Sequence, residues 1–111
     1  MMKKPEYIVI LYVANQQVSR DFYSRLLQLE PVLDVPGMTE FNLLEGLKLG
    51  LMQQDGIARI LGDKTPHPAS GNGIPRCELY LLDENPEELY TRALDSGALE
   101  VSKIQQRNWG H

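Results

Sequence analysis

Apolar and polar residues alternate in two similar units, each an apolar, aromatic-rich run followed by an amphipathic helix. The first unit spans residues 7–27 and the second spans residues 77–97. Residues 7–13 have the β-branched and aromatic content of a strand, which Ala14-Asn15 interrupts. One face of the helix that follows carries the apolar residues Val18, Phe22, Tyr23, Leu26 and Leu27. The recurrence predicts a duplicated strand-helix module.

The second unit has clearer helix signals than the first. Residues 77–82 predict a strand, and Asn85 is a good N-cap for the helix after it. Pro86 suits the first helical position, Glu88 can complete a capping box, and Gly97 is a typical helix end.

Between these units, Pro36-Gly37 predicts a turn, and residues 39–44 and 47–53 predict two antiparallel strands that meet at Glu45-Gly46. The first half is therefore β-α-β-β-β. In the last of these strands Leu47, Leu49 and Leu51 share one face, and Lys48, Gly50 and Met52 share the other. We expect Gly50 to leave open space on that second face.

The second half repeats this plan only in part. Residues 54–75 lose periodicity and collect glycine and proline, which predicts a linker with one short helical turn near Ile57. Residues 99–104 alternate like a half-buried strand, and a polar loop with Trp109 follows. By the pattern of the first half, two further strands should follow His111. Without them we expect one edge of the sheet to be exposed. The sequence thus predicts a single domain with module one at 5–53, a linker at 54–75 and a partial module two at 76–111.

Composition narrows the functional classes. The 111 residues are 42% hydrophobic and carry a formal net charge of -4, with no basic stripe that would bind a phosphate backbone. No apolar run approaches the roughly 20 residues that span a bilayer, and the first residues lack a secretory signal. We therefore expect a cytoplasmic protein without nucleic-acid or membrane partners. The single cysteine, Cys77, is expected to be a buried core residue.

The chain resembles the vicinal oxygen chelate superfamily, which includes glyoxalase I, extradiol dioxygenases and the bleomycin resistance proteins. The resemblance lies in residues 8–27 with the Phe22-Tyr23 pair, in residues 78–97 with the Pro86-Glu87-Glu88 helix start, and in Asn108-Trp109-Gly110. It implies an α+β fold of paired βαβββ modules whose strands curl into a cup-like mixed sheet, with helices outside and the second module incomplete here.

The metal ligands of that superfamily are not matched in this chain. The first ligand position, near the start of the opening strand, corresponds to Ile8, and the matching position of the second half corresponds to Glu78. Transition-metal sites need about three or four protein ligands, usually including histidine. The two histidines, His67 in a proline-flanked loop and His111 at the end, are expected to be exposed bystanders. We therefore predict no metal and no cofactor.

The resemblance implies a ligand cleft inside the cup. The residues that we expect to line it are Ile10, Tyr12, Met52, Glu78, Tyr80 and Trp109. Such a cleft is mostly apolar with a few polar groups, which is typical of small-molecule sites and suits a flat organic ligand bearing a cation or a donor. The same side chains could instead be plain core. Glu78 either faces solvent, pairs with an arginine or meets a ligand, in which case it is a candidate general base.

Three functions stay open at this point. The first is a metal-free homodimeric protein, resembling bleomycin resistance proteins, that sequesters a small organic ligand. The second is a metal-dependent glyoxalase-like or dioxygenase-like enzyme whose ligands come from beyond His111 or from a partner chain. The third is an interaction protein whose cup is filled by its own side chains.

Overall fold

The computed structural model of the chain describes residues 5–106. They form two compact units that divide between Ile74 and Pro75. The elements of the first unit are β1 (Tyr7–Val13), α1 (Gln16–Leu27), β2 (Leu33–Val35), β3 (Met38–Leu44), β4 (Leu47–Gln53) and α2 (Gln54–Leu61). Two 3-10 turns follow at Gly62–Lys64 and Pro68–Gly71, and the second unit contains α3 (Pro86–Asp95).

The first unit is built on an open, four-stranded mixed sheet with the strand order β1-β4-β3-β2. β1 runs parallel to β4, whereas β2, β3 and β4 form antiparallel neighbours. A parallel pair requires a crossover connection, and here that connection consists of α1, β2 and β3. The predicted α+β class and the βαβββ order of the first module are thus confirmed.

α1 packs on one face of this sheet, against β3 and β4. The core between them contains Phe41, Leu49 and Leu51, all fully buried, and Leu26 of α1 at 6% exposure. Burying an apolar side chain of this size contributes about 1.5 to 3 kcal/mol. The predicted face of β4 that carries Leu49 and Leu51 is therefore the one on which α1 packs.

Local signals determine both ends of α1. The Asn15 side chain accepts a hydrogen bond from the backbone N–H of Val18 at 3.0 Å, which is a typical N-cap. At the other end Gln28 adopts the left-handed region with φ of 56°, and its backbone N–H donates to the carbonyl of Ser24. This geometry ends the helix without a glycine.

α2 is longer than the sequence indicates. The single turn expected near Ile57 is an eight-residue helix, Gln54–Leu61, with Ile57 buried. Gly56 in its interior lowers the helical propensity, so that contacts of α2 with β1 and β4 must offset the cost. The predicted linker therefore begins with regular structure.

In the second unit α3 agrees with the prediction. The Asn85 side chain accepts from the Glu88 backbone N–H at 3.3 Å, and its amide donates to the Glu88 carboxylate at 3.1 Å. Pro86 occupies the first turn, and Gly97 follows the helix with φ of 114°. The predicted capping box is not formed, because the Asn85 backbone N–H donates to Asp83 Oδ1 and not to the Glu88 carboxylate. The N-cap bond from Asn85 to the Glu88 N–H explains the start of the helix.

The two strands predicted for the second unit are not formed. Residues 77–82 and 99–104 have no strand geometry, and Val101 is 97% exposed. Alternating apolar residues form a strand only when a neighbouring strand binds their backbone groups. Cys77, predicted to be buried, is exposed as a result. No helix within residues 5–106 is long and apolar enough to cross a membrane.

Candidate functional site

One face of the four-stranded sheet lies opposite α1, and we call it the open face. Residues directly opposite each other on neighbouring strands share a face. Ile10 pairs with Gly50, Gly50 with Glu40, and Glu40 with Leu33 of β2, so these four residues form the middle row. The rows on either side are Ile8, Lys48 and Asn42 at one end, and Tyr12, Met52, Met38 and Val35 at the other.

Gly50 is the centre of the open face. A Cβ atom there would lie 3.2 Å from both Ile8 Cγ2 and Ile10 Cγ1, and 3.4 Å from Met38 Sδ. The space that we expected above this glycine is therefore occupied by neighbouring side chains. Ile8, Ile10 and Met38 thus form a shallow apolar surface over Gly50, which we call the apolar floor. These side chains would have to shift if residue 50 carried a side chain.

The apolar side chains of the open face remain partly in contact with solvent. Ile8, Ile10 and Tyr12 of the edge strand β1 are 43%, 40% and 48% exposed. Tyr7 and Val9 on the other face of this strand are 65% and 49% exposed, so the two faces differ at the central strands, where Leu49 and Leu51 on the α1 face are fully buried. Neighbouring exposed apolar residues of this kind are typical of interaction or ligand-binding surfaces. The open face is thus the best candidate site in the first unit.

A single ion pair interrupts this apolar surface. The Lys48 Nζ atom lies 3.6 Å from Glu40 Oε1, and their side chains are 28% and 13% exposed. The sequence analysis missed Glu40 because an acidic residue in an alternating strand is usually solvated. The signal that could have identified it is register: β3 pairs Glu40 with Gly50, the residue over which Ile8, Ile10 and Met38 converge.

The structure brings together some of the predicted site residues. Ile10, Tyr12 and Met52 share the open face, and Tyr12 is the register partner of Met52. In the second unit Glu78 is exposed, and Tyr80 lines a surface groove of about 750 Å³ with Leu82, Pro86 and Ile104. Trp109 lies outside the described residues, as do Arg107 and His111. The roles assigned to Glu78, Tyr80 and Trp109 therefore stay predictions.

The described residues do not fit a metal ion. Among residues 5–106 no three His, Cys, Asp or Glu side chains are close enough to hold one. The open face carries one carboxylate, which is paired with Lys48, and Ile8 at its end offers no ligand atom. His67 is engaged elsewhere, since Nε2 contacts Asp55 Oδ1 at 2.9 Å and Nδ1 accepts from the Ala69 backbone N–H.

A second concavity, of about 510 Å³, lies beside the start of α1. The polar side chains beside it form hydrogen bonds within the protein. The Gln16 amide donates to the Val35 backbone carbonyl and to Thr39 Oγ1, and Arg20 donates to Asp34 at 3.0 Å. Thr39 is fully buried and donates to the other oxygen of Asp34. These bonds hold the fold together, so we do not assign a ligand to this groove.

Comparison with known proteins gives fold relatives only. No family model matches the sequence, and no curated protein matches it. A protein from Agrobacterium tumefaciens, solved by solution NMR, is 28% identical with a TM-score of 0.65, covering 98% of this chain and 84% of that one.

Two crystal structures extend this comparison. A glyoxalase/bleomycin resistance protein/dioxygenase from Nocardioides is 19% identical with a TM-score of 0.70, over 98% of this chain and 72% of that one. A glyoxalase-related enzyme from Fulvimarina pelagi is 13% identical with a TM-score of 0.68, over 99% of this chain and 76% of that one. At these identities the likeness concerns the fold.

Proposed function

We propose that this chain, which has the fold of the vicinal oxygen chelate superfamily, is a metal-free protein that binds and sequesters a small organic molecule on its open face. The observation that carries the proposal is the apolar floor over Gly50, where Ile8, Ile10 and Met38 converge while the two isoleucines stay partly exposed. An apolar surface with few polar groups is what small-molecule sites generally offer.

The proposal favours binding over metal-dependent catalysis because of the donor set. Glyoxalase-like and dioxygenase-like chemistry would need a cluster of ligands, and residues 5–106 contain none. The Nocardioides protein is described as a glyoxalase/bleomycin resistance protein/dioxygenase, and we propose that this chain works in the manner of the resistance proteins named in that description. We further propose that the protein works in the cytoplasm as a homodimer.

Isoleucine methyl NMR provides a direct test. Ile8 and Ile10 report on the open face, whereas Ile57 in the core and Ile60, which is 71% exposed on α2, report on changes elsewhere. Titration with a panel of flat aromatic compounds should move the methyl resonances of Ile8 and Ile10 in a saturable way. Equal movement of all four, or none with any compound, contradicts the proposal.

A pair of tyrosine substitutions sharpens this test. Tyr12 lies on the open face, whereas Tyr7 belongs to the same strand, lies on the opposite face and is 65% exposed. We expect Tyr12→Ala to weaken binding by calorimetry and Tyr7→Ala to leave it unchanged. The opposite ranking would place the ligand on the other face of the sheet.

A further inference from the structure

We infer that Glu40 selects the ligand, and that the preferred ligand is an organic cation, a flat molecule with a protonated or quaternary nitrogen that lies over Gly50. In this inference Lys48 is a counter-ion that the ligand nitrogen displaces. The inference rests on the proposed function, because it concerns the same open face. Three observations on residues 5–106 support it.

The first observation is the position of the carboxylate. Glu40 stands next to Gly50 in the middle row, on the side of Gly50 opposite to Ile10, so a ligand lying over Gly50 would be adjacent to it. Lys48 stands in the end row with Ile8 and reaches Glu40 diagonally. The backbone position of Glu40 is therefore in the central row, whereas that of Lys48 is in an end row.

The second observation is that the carboxylate is only partly satisfied. The Glu40 side chain is 13% exposed, and its contact within residues 5–106 is Lys48 Nζ at 3.6 Å from Oε1. That distance exceeds the roughly 3.2 Å limit of a direct N–H···O hydrogen bond. No side-chain oxygen of the described residues is both buried and without a hydrogen-bond partner, so this carboxylate is still reachable from solvent. A ligand nitrogen could therefore approach it more closely than Lys48 does and form a charge-assisted hydrogen bond.

The third observation is that Lys48 can leave. Its side chain is 28% exposed, and a lysine stem can lie along apolar surface while its ammonium group moves into water. Displacement by a ligand nitrogen exchanges a long ion pair for a short one. An anionic ligand would instead approach the Glu40 carboxylate at the centre of the face, which is unfavourable.

Three probes of similar shape test this charge preference: 2-naphthylmethylammonium, neutral 2-naphthylmethanol and anionic 2-naphthoate. In calorimetry with the full chain we expect the ammonium compound to bind at least about tenfold more tightly than the alcohol, since hydrogen bonds to charged groups are the strong ones. The naphthoate should bind most weakly.

Two substitutions should shift this preference in opposite directions. Glu40→Gln should remove most of the difference in affinity between the ammonium compound and the alcohol. Lys48→Gln should strengthen binding of the ammonium compound, because its competitor for Glu40 is gone. Glu45→Gln, in the exposed turn between β3 and β4, is the matched control and should have no effect.

The outcomes separate the inference from the proposed function. If the probes move the Ile8 and Ile10 methyls but Glu40→Gln leaves their order of affinity unchanged, the inference is wrong and the proposed function stands. If 2-naphthoate binds best and Lys48→Gln abolishes that binding, Lys48 is the selecting group and the inference is overturned. If no probe and no compound of the aromatic panel perturbs these methyls, both fail.

Discussion

The backbone N–H of Gln16, the first residue of α1, donates a hydrogen bond of 2.8 Å to the side-chain oxygen of Gln53, the last residue of β4. The amide of Gln53 in turn donates to the carbonyl of Ala14. A strand end thus provides an acceptor for one of the N–H groups that a helix start leaves without a partner. This link joins the two halves of the βαβββ module across 37 residues.

The Gln16 side chain extends the same connection to the turn between β2 and β3. Its amide donates to Val35 O at 2.8 Å and to Thr39 Oγ1 at 2.9 Å, and its oxygen accepts from the Gly37 N–H at 2.9 Å. We expect Gln16→Ala to lower the free energy of unfolding by about 1 to 3 kcal/mol, because these partners lose their bonds. Gln17→Ala, one residue later and exposed, should change it by less than about 0.5 kcal/mol in the same urea titration. Equal effects would show that the Gln16 contacts contribute little.

Gly50 and Gly56 should respond to alanine in opposite directions. A Cβ at Gly50 meets Ile8 and Ile10 at 3.2 Å, whereas one at Gly56, inside α2, meets nothing within 4 Å. We expect Gly50→Ala to destabilise by about 1 kcal/mol through overpacking and to weaken ligand binding. Gly56→Ala should stabilise by about 0.4 to 1 kcal/mol, because alanine restricts the unfolded chain. Thermal unfolding of both variants measures the contrast, and a stabilising Gly50→Ala would contradict the packing argument.

The protein purified without a tag should contain little metal. Residues 5–106 provide no cluster of ligands, and both ring nitrogens of His67 are engaged within the chain. Plasma mass spectrometry should find less than about 0.1 divalent transition metal per chain, since a tight site needs three or four ligands. Near-stoichiometric metal would move the enzyme alternative ahead of sequestration.

The proposed homodimer can be tested at the free edge of β1. The Tyr7 backbone N–H donates to the carbonyl of Gly46, the residue before β4, so the backbone groups of Ile8, Ile10 and Tyr12 are directed to the other edge. Residues 7–13 contain no charge that would oppose pairing of this edge with a second chain. We expect light scattering at micromolar concentration to give twice the monomer mass.

Two lysine substitutions locate that interface. Val9→Lys should shift the mass toward the monomer, because charged residues on an edge strand oppose pairing. Val18→Lys, at a 64% exposed position of α1, should not. A wild-type monomer, or equal effects of the two lysines, would contradict dimerisation through β1.

The sequence predicts those elements whose signals are local. β4 is found at Leu47–Gln53 as predicted, because its alternation decides which side chains face α1. The Asn85 cap likewise depends only on residues within one turn. The elements that the sequence does not predict depend on partners distant in the chain. α2 is stabilised by packing against β1 and β4 despite Gly56, which local signals do not show. Residues 99–104 alternate like a strand but do not form one.

In the candidate site, too, some residues can be predicted from local signals, whereas others depend on contacts between strands. Alternation alone places Ile10 and Tyr12 on one face of β1, and Met52 with Gly50 on one face of β4. The register of β1 with β4 then shows that these are the same face of the sheet. Glu40 cannot be identified in this way, because its significance comes from standing opposite Gly50 on another strand. The convergence of Ile8, Ile10 and Met38 over Gly50 is equally a property of three strands together.

The parallel pairing of β1 with β4 also has a consequence for the order of assembly. Each pair, such as Tyr7 with Leu47 or Tyr12 with Met52, joins residues 40 positions apart, because 47 minus 7 and 52 minus 12 both equal 40. The β3–β4 hairpin closes a short loop, so we expect it to form early and β1 to dock late. β1 contributes Ile8, Ile10 and Tyr12 to the open face. A ligand bound there would therefore stabilise the docked state of β1 and slow the separation of this strand from β4.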